Sequence, residues 1–195
     1  MARDRASRPE ARPLRLFVAA EVPEDVLDEV ARASAPLRDR HPGRWVPAAN
    51  QHVTVKFLGS TWPRLLEPVL RAVGEVATAQ TPFESRAAEL GAFPSPRRAR
   101  VLWAGLEDPD GRLAAIAAGL DAALAKDFPP ERRAFTAHLT LARFDPPVDL
   151  EDELPAPRIE SRPFGVERLV VFRSHLRRPA PVYEAIGTFP LGSPS

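Results

Sequence analysis

The chain contains short stretches that are apolar or alternate between apolar and polar residues, and longer stretches with an apolar residue at every third or fourth position. The first kind predicts β-strands and the second predicts amphipathic α-helices. Three helices are predicted, over residues 23–36, 64–79 and 110–128. The predicted strands cover residues 15–20, 52–57, 83–90, 99–106, 138–144, 166–173 and 182–191.

Two of the predicted strands begin with the same motif, His-x-Thr-x with an apolar residue at each x, at residues 52–55 and 138–141. Alternate side chains of a strand share a face, so the His and the Thr point one way and the apolar residues point the other way. One such motif is usually a solvated surface pair. Two matched copies predict a cleft that is lined by His52, Thr54, His138 and Thr140.

The two motifs belong to a longer internal repeat with an offset of 86 residues. Each copy has a predicted strand, a Glu-x-Pro-acid turn, an amphipathic helix and then the motif strand. The aligned pairs include Leu16 with Leu102, Phe17 with Trp103, Pro23 with Pro109 and Leu27 with Leu113. We interpret residues 15–58 and 101–144 as duplicated cores. Packing about a pseudo-twofold axis would bring both histidines to one cleft.

Composition narrows the class of protein. The 195 residues suit one domain, which we place at 14–191 between an Arg-rich tail of residues 1–13 that we expect to be disordered and a short tail of residues 192–195. A net charge of +1 predicts no general attraction to nucleic acid or membranes. The lack of cysteine excludes disulfides and thiolate nucleophiles. With no apolar run of membrane-spanning length and no secretory signal, we expect a cytoplasmic monomer.

Two histidines that face each other suit a reaction that needs one general base and one general acid. Hydrolysis of a phosphoester is such a reaction: one imidazole takes a proton from the attacking water, and the other protonates the departing oxygen. The two Thr hydroxyls would stabilise charge on the phosphoryl oxygens. On strict alternation Lys56 shares their face and would help, unless it is a solvated residue at the strand end. Two histidines make only half of a zinc site, so we predict no metal and no other cofactor.

The duplicated motifs resemble those of the 2H phosphoesterase superfamily. More closely, the chain resembles the RNA 2′,3′-cyclic phosphodiesterases, also called the 2′–5′ RNA ligase family. The resemblance runs over residues 14–191 and is carried by the segments RLFVAAEVP, RWVPAANQHVTVKFLG, LGAFPSPRRARVLWAGL, RAFTAHLTLARF and VERLVVFRSHL. It implies an α+β, bilobal, duplicated fold, in which two antiparallel sheets flanked by helices surround a central cleft.

The resemblance also implies a function, namely the hydrolysis of RNA 2′,3′-cyclic phosphate ends to 2′-phosphates without metal. Its partner would be RNA with such an end. His52 would be the proton donor and His138 the proton acceptor, an assignment that the nearly symmetric motifs leave open by themselves. Thr54 and Thr140 would contact phosphate oxygens.

Four further positions are candidates for binding substrate. Arg143 is a phosphate ligand by resemblance, although strict alternation places it on the face opposite to His138, so a bulge or the end of the strand is needed. Phe17 and Trp45 would stack a base or else belong to the core. Lys56 completes the set. A basic patch at residues 97–100 would steer an RNA end or is solvated surface.

Other functions remain open at this point. The same residues would serve a phosphodiesterase that acts on small cyclic nucleotides. A protein that binds RNA ends without turnover is an alternative outside the enzymes, although phosphate binding alone does not need two matched imidazoles. The reverse reaction, 2′–5′ ligation of RNA ends, follows from microscopic reversibility.

Overall fold

The structure is a computed structural model that describes residues 12–154 and 159–192. Most of the predicted N-terminal tail (1–11) and of the C-terminal tail (193–195) lies outside the described residues. The helices are α1 (Glu24–Arg40), α2 (Leu66–Thr78) and α3 (Arg112–Leu124), with short 3₁₀ segments at Ala48–Asn50, Pro63–Leu65, Pro96–Arg98 and Pro109–Gly111. The strands are β1 (Leu14–Ala20), β2 (Arg44–Trp45), β3 (Val53–Thr61), β4 (Phe83–Ser85), β5 (Ala87–Phe93), β6 (Ala99–Leu106), β7 (His138–Val148), β8 (Phe164–Val166), β9 (Arg168–His175) and β10 (Val182–Pro190).

An antiparallel sheet forms the centre of the molecule, with the strand order β10-β9-β1-β3-β7-β6-β5 and with β2 also paired to β7. A separate ribbon joins β4 to β8. The two repeats therefore occupy opposite halves of the sheet, and β3 and β7 meet at the pair Val53 and Leu139. The α+β fold with antiparallel sheets is confirmed, and the two expected sheets join along these central strands.

One face of the sheet is covered by helices and carries the core. Leu102, Leu139 and Leu169 are fully buried there, together with Ile116 and Leu120 of α3. Helix α1 packs on β5, and α3 packs on β3. Helices α1 and α3 thus each cross from their own repeat to the other half of the sheet, and each buries its apolar stripe against strands of that half.

Some predicted boundaries were wrong. Helix α1 does not end near Pro36 but continues to Arg40. A proline removes one backbone donor, and the fully buried Leu37 still anchors the final turn to the core. The strand predicted over 83–90 is divided into β4 and β5. After Phe144, β7 continues to Val148, where a loop was expected.

Two matched bulges shape the central strands. In the pairing of β1 with β3, Ala19 pairs with Thr54 and Val18 pairs with Lys56, so Val55 is an extra residue of β3. In the pairing of β6 with β7, Trp103 pairs with Thr140 and Leu102 pairs with Ala142, so Leu141 is an extra residue of β7. A bulge reverses the alternation of the residues that follow it. The residues that directly follow each bulge, Lys56 and Phe57 in β3 and Ala142 and Arg143 in β7, therefore lie on faces opposite to those that strict alternation predicts.

Candidate active site

The two motif histidines come together on the face of the sheet opposite to the helices. His52 directly precedes β3, His138 begins β7, and the paired Val53 and Leu139 beside them point into the core. Alternation places each His and its Thr on the other face, where all four side chains are partly exposed. The charge of His138 is close enough to lower the pKa of His52. The four motif residues therefore lie together on one face of the two central strands.

His52 lies in an aromatic environment. Its ring stacks on Phe17 at a centroid distance of 4.6 Å, and Tyr183 packs against it edge-on with the ring centroids 5.3 Å apart. The pKa of His52 is lowered to about 4, and burial of the ring is the main cause. A hydrogen bond with the backbone of Asn50 opposes this shift, and the charge of His138 adds to it. The imidazole is therefore neutral at pH 7 in the free protein.

His138 is oriented by its own strand. Its Nδ1 lies 2.7 Å from the carbonyl oxygen of Thr136, so Nδ1 carries the proton and donates it to this hydrogen bond. Burial lowers the pKa of His138, the bond to Thr136 opposes this effect, and the charge of Arg143 adds to it. In the neutral ring the second nitrogen, Nε2, is then unprotonated, and it is a free proton acceptor.

Arg143 lies on the same face as the histidines. It is exposed, and the bulge at Leu141 places it on this face, as the predicted role requires. Its positive charge lowers the pKa values of both His138 and Tyr183, so the guanidinium lies near both rings. An anion bound between the histidines would meet this cation.

Lys56 is not part of the site, and the prediction that it binds substrate was wrong. Its side chain is 5% exposed on the helix-covered face, where Nζ contacts the carboxylate of Asp121 and donates to the carbonyl oxygen of Pro129 at 2.9 Å. The bulge at Val55 reverses the alternation on which the prediction rested. Lys56 instead ties β3 to α3 and to the segment that follows α3.

Trp45 also lies away from the cleft, and its predicted stacking on a base was wrong. It pairs with the buried Ala142, and its indole packs edge-on against Phe144 at 6.3 Å. Its Nε1 donates to the carbonyl oxygen of His41 at 3.2 Å, and the guanidinium of Arg38 covers the ring. The alternative assignment, to the core, is the one that the structure supports.

Phe17 is on the cleft face but has no open surface for a base. It is 5% exposed and is enclosed by His52, Phe172 and Tyr183. A base could stack on it only by displacing one of these three rings. Its position makes it a support for that imidazole.

Several aromatic residues on this face were not identified as site residues from the sequence, among them Phe57, Trp103 and Tyr183. Phe57 follows the bulge at Val55 and is 69% exposed. Trp103 lies 6.2 Å from the His138 ring, and its Nε1 is buried without a partner among the described residues. The repeat offset, which aligns Trp103 with Phe17, was a usable signal for Trp103. Tyr183 comes from the far end of the chain, and no local pattern indicates it.

The basic patch of residues 97–100 is partly neutralised. Arg97 pairs with Glu151, and Arg100 pairs with Asp145 at 3.2 Å. Within residues 12–154 and 159–192, no group of three or more His, Cys, Asp or Glu side chains is placed to bind a metal. Over the same residues, no helix combines the length and the apolar character needed to cross a bilayer.

Comparison with known proteins shows the family of this chain. The model of the family described as LigT-like phosphoesterase matches residues 20–103 and 106–183. The chain belongs to the LigT-like phosphoesterase family. The two matched segments of this family member start 86 residues apart, which is the offset that relates its two His-x-Thr-x motifs.

Relatives in this family are similar over most of the chain. An RNA 2′,3′-cyclic phosphodiesterase of Geobacillus stearothermophilus is 30% identical over 91% of this chain, which spans 58% of that relative's length. An RNA 2′,3′-cyclic phosphodiesterase of Methanothermobacter thermautotrophicus is also 30% identical, over 91% of this chain and 99% of its own length. A crystal structure of a Thermus thermophilus protein is 29% identical, with a TM-score of 0.77 over 92% of this chain and 99% of that chain.

Proposed function

We propose that this phosphoesterase hydrolyses RNA 2′,3′-cyclic phosphate ends to 2′-phosphomonoesters by general acid–base catalysis with His52 and His138. The proposal is carried by one observation: the two imidazoles lie on one face of adjacent central strands, each with a Thr hydroxyl beside it. The two relatives named as RNA 2′,3′-cyclic phosphodiesterases support the substrate.

His138 is the base in this mechanism. Its Nδ1 proton is committed to the carbonyl of Thr136, and its lowered pKa keeps the ring neutral. The lone pair of Nε2 accepts a proton from water, which attacks the phosphorus in line with the 3′ oxygen. A general base contributes about 10²- to 10⁴-fold to such a step.

His52 is the acid and protonates the departing 3′ oxygen. In the free protein its pKa of about 4 leaves it neutral at pH 7, so the proton must be acquired with the substrate. A bound phosphate anion beside the ring favours imidazolium and raises its pKa. The same burial that lowers the pKa in the free cleft strengthens this attraction once the anion is bound.

The remaining groups hold the phosphoryl oxygens and the nucleoside. The hydroxyls of Thr54 and Thr140 and the guanidinium of Arg143 stabilise charge on the non-bridging oxygens. Phe57 offers an exposed ring on the same face, 6.4 Å from Phe17, on which a base would stack. Every chemical step is assigned to a side chain, and we therefore propose that turnover needs no metal.

The decisive experiment follows the products of a short RNA that ends in a 2′,3′-cyclic phosphate, with EDTA present. We expect a 2′-phosphate end from the wild type, and no turnover from His52→Ala or His138→Ala at unchanged thermal stability. A 3′-phosphate product would reverse the orientation of the substrate. Absence of hydrolysis would refute the proposal, and a turnover that EDTA abolishes would refute its independence from metal.

A related reaction uses the same chemistry. The 5′-hydroxyl of a second RNA would replace water as the nucleophile: His138 takes its proton, the bond from phosphorus to the 3′ oxygen breaks, His52 protonates that oxygen, and a 2′–5′ linkage forms. Abundant water makes ligation the minor reaction. We also propose that the enzyme is a cytoplasmic monomer. Product analysis with two RNA fragments and sedimentation of the pure protein test ligation and oligomeric state, respectively.

A further inference from the structure

We propose that Arg44 binds the phosphodiester on the 5′ side of the terminal nucleotide, so that the enzyme prefers an RNA chain to a mononucleotide cyclic phosphate. The inference rests on the proposed function, because it adds a subsite for the same substrate. Arg44 precedes the first motif in the sequence, but β2 pairs with β7, so Arg44 lies beside the strand that carries the second motif.

The strand register places Arg44 beside Arg143. In the pairing of β2 with β7, Arg44 lies opposite Arg143 and Trp45 lies opposite Ala142. Residues directly opposite in an antiparallel pair share a face, with their Cβ atoms about 4.5–5.5 Å apart. Trp45 and Ala142 point to the helix-covered face, so Arg44 and Arg143 point together to the cleft face.

The positive charges of Arg44 and Arg143 favour an anionic ligand between them. Arg44 and Arg143 are both exposed, and neither has a carboxylate within ion-pair distance in the part of the chain that the structure describes. Like charges directly opposite each other in a strand pair repel. An anionic ligand that lies along both side chains would turn this repulsion into attraction.

Arg143, and not Arg44, is the arginine whose charge lowers the pKa of His138 and of Tyr183. The pairing of β2 with β7 places Arg44 one strand away from Arg143, at a spacing of about 4.8 Å. It is placed for a second phosphate.

The chemistry of the ligand follows from the guanidinium. Its planar set of donors binds phosphate oxygens in pairs, and it stays charged at every working pH. A nucleoside 2′,3′-cyclic phosphate has one phosphate, which the histidines, threonines and Arg143 already hold. An RNA chain adds a phosphodiester one nucleotide away, and this group is the ligand that we assign to Arg44.

The test compares three substrates with the same terminal nucleotide: a nucleoside 2′,3′-cyclic phosphate, a dinucleotide that ends in the same cyclic phosphate, and that dinucleotide with a neutral methylphosphonate linkage. We expect Arg44→Ala to lower kcat/KM about tenfold on the charged dinucleotide, the order of one charge-assisted contact, and mainly through KM. Activity on the mononucleotide should be unchanged. The methylphosphonate should reduce the wild type to the level of the variant and cost the variant nothing more.

Arg71→Ala is the matched control, because it removes an exposed arginine from α2, on the other face of the sheet. An equal loss on the mononucleotide would place Arg44 at the reacting phosphate and overturn the inference. No loss on either substrate would overturn it as well. A wild type that cleaves neither substrate would instead refute the proposed function, and the subsite with it.

Discussion

The ring of Phe17 stacks on the imidazole of His52 with their centroids 4.6 Å apart and their planes inclined by 21°. The contact joins the first strand of the sheet to the first motif. It also excludes water from one side of the imidazole, and exclusion of water is the main cause of the low pKa of His52.

Phe17→Leu should therefore raise the pKa of His52 from about 4 towards its ordinary value of 6.5, because a smaller side chain admits water to the ring. NMR titration of the imidazole Cε1 proton measures the change directly. Phe57→Leu is the control, since Phe57 is 69% exposed and does not contact His52. An unchanged titration in Phe17→Leu would show that another contact buries the ring.

The roles of the two histidines can be separated with the leaving group. A substrate whose 3′ oxygen is replaced by sulfur needs little help from an acid, because a thiolate leaves readily. We expect this substrate to restore His52→Ala by about 10²-fold or more, the range attributed to one general acid, and to leave His138→Ala inactive. Restoration of His138→Ala in place of His52→Ala would exchange the two roles.

The low pKa values also predict the pH dependence of turnover. The productive state needs one imidazolium and one neutral imidazole, and the pKa values of both rings in the free enzyme lie below 6.5. Raising the pH above 7 removes the required proton, so kcat/KM should fall about tenfold per pH unit there. The profile of kcat should lie at higher pH, because bound phosphate raises the pKa of the acid. A flat kcat/KM between about pH 6 and pH 9 would contradict the mechanism.

Arg143 should contribute both to substrate binding and to the low pKa of His138. Arg143→Ala is expected to lower kcat/KM about 10- to 100-fold, the value of a charge-assisted contact, and to raise the pKa of His138 by removing a neighbouring positive charge. Arg143→Lys should recover part of both effects. In Arg100→Ala, which breaks only the pair with Asp145, both quantities should stay within about twofold of the wild type.

Lys56 should matter for stability and not for catalysis. Lys56→Met leaves the carboxylate of Asp121 without its partner and should lower the free energy of unfolding by about 1–3 kcal/mol. Denaturant unfolding measures this loss, and kcat/KM at 25 °C should change less than about twofold because the side chain lies on the helix-covered face. Adding Asp121→Leu should restore part of the stability. A large loss of activity in the folded variant would return Lys56 to the site.

The site residues that the sequence could identify are those whose placement depends on local alternation. His52 and Thr54 share a face because they are two residues apart on one strand, and the same holds for His138 and Thr140. Beyond each motif this rule failed at the bulge. Lys56 was therefore assigned to the cleft although it points to the core, while Arg143 required a bulge that only the pairing of β6 with β7 reveals.

The sequence by itself determined the duplicated motifs and their 86-residue offset, and it predicted a reaction with one acid and one base, because these depend on residue types and short spacings. The tertiary structure decided the protonation states and the environment of the histidines, since these depend on contacts between distant segments. Tyr183 reaches His52 from β10, and Arg44 meets Arg143 across paired strands. Burial and charge at these contacts arise from packing, which no local spacing encodes.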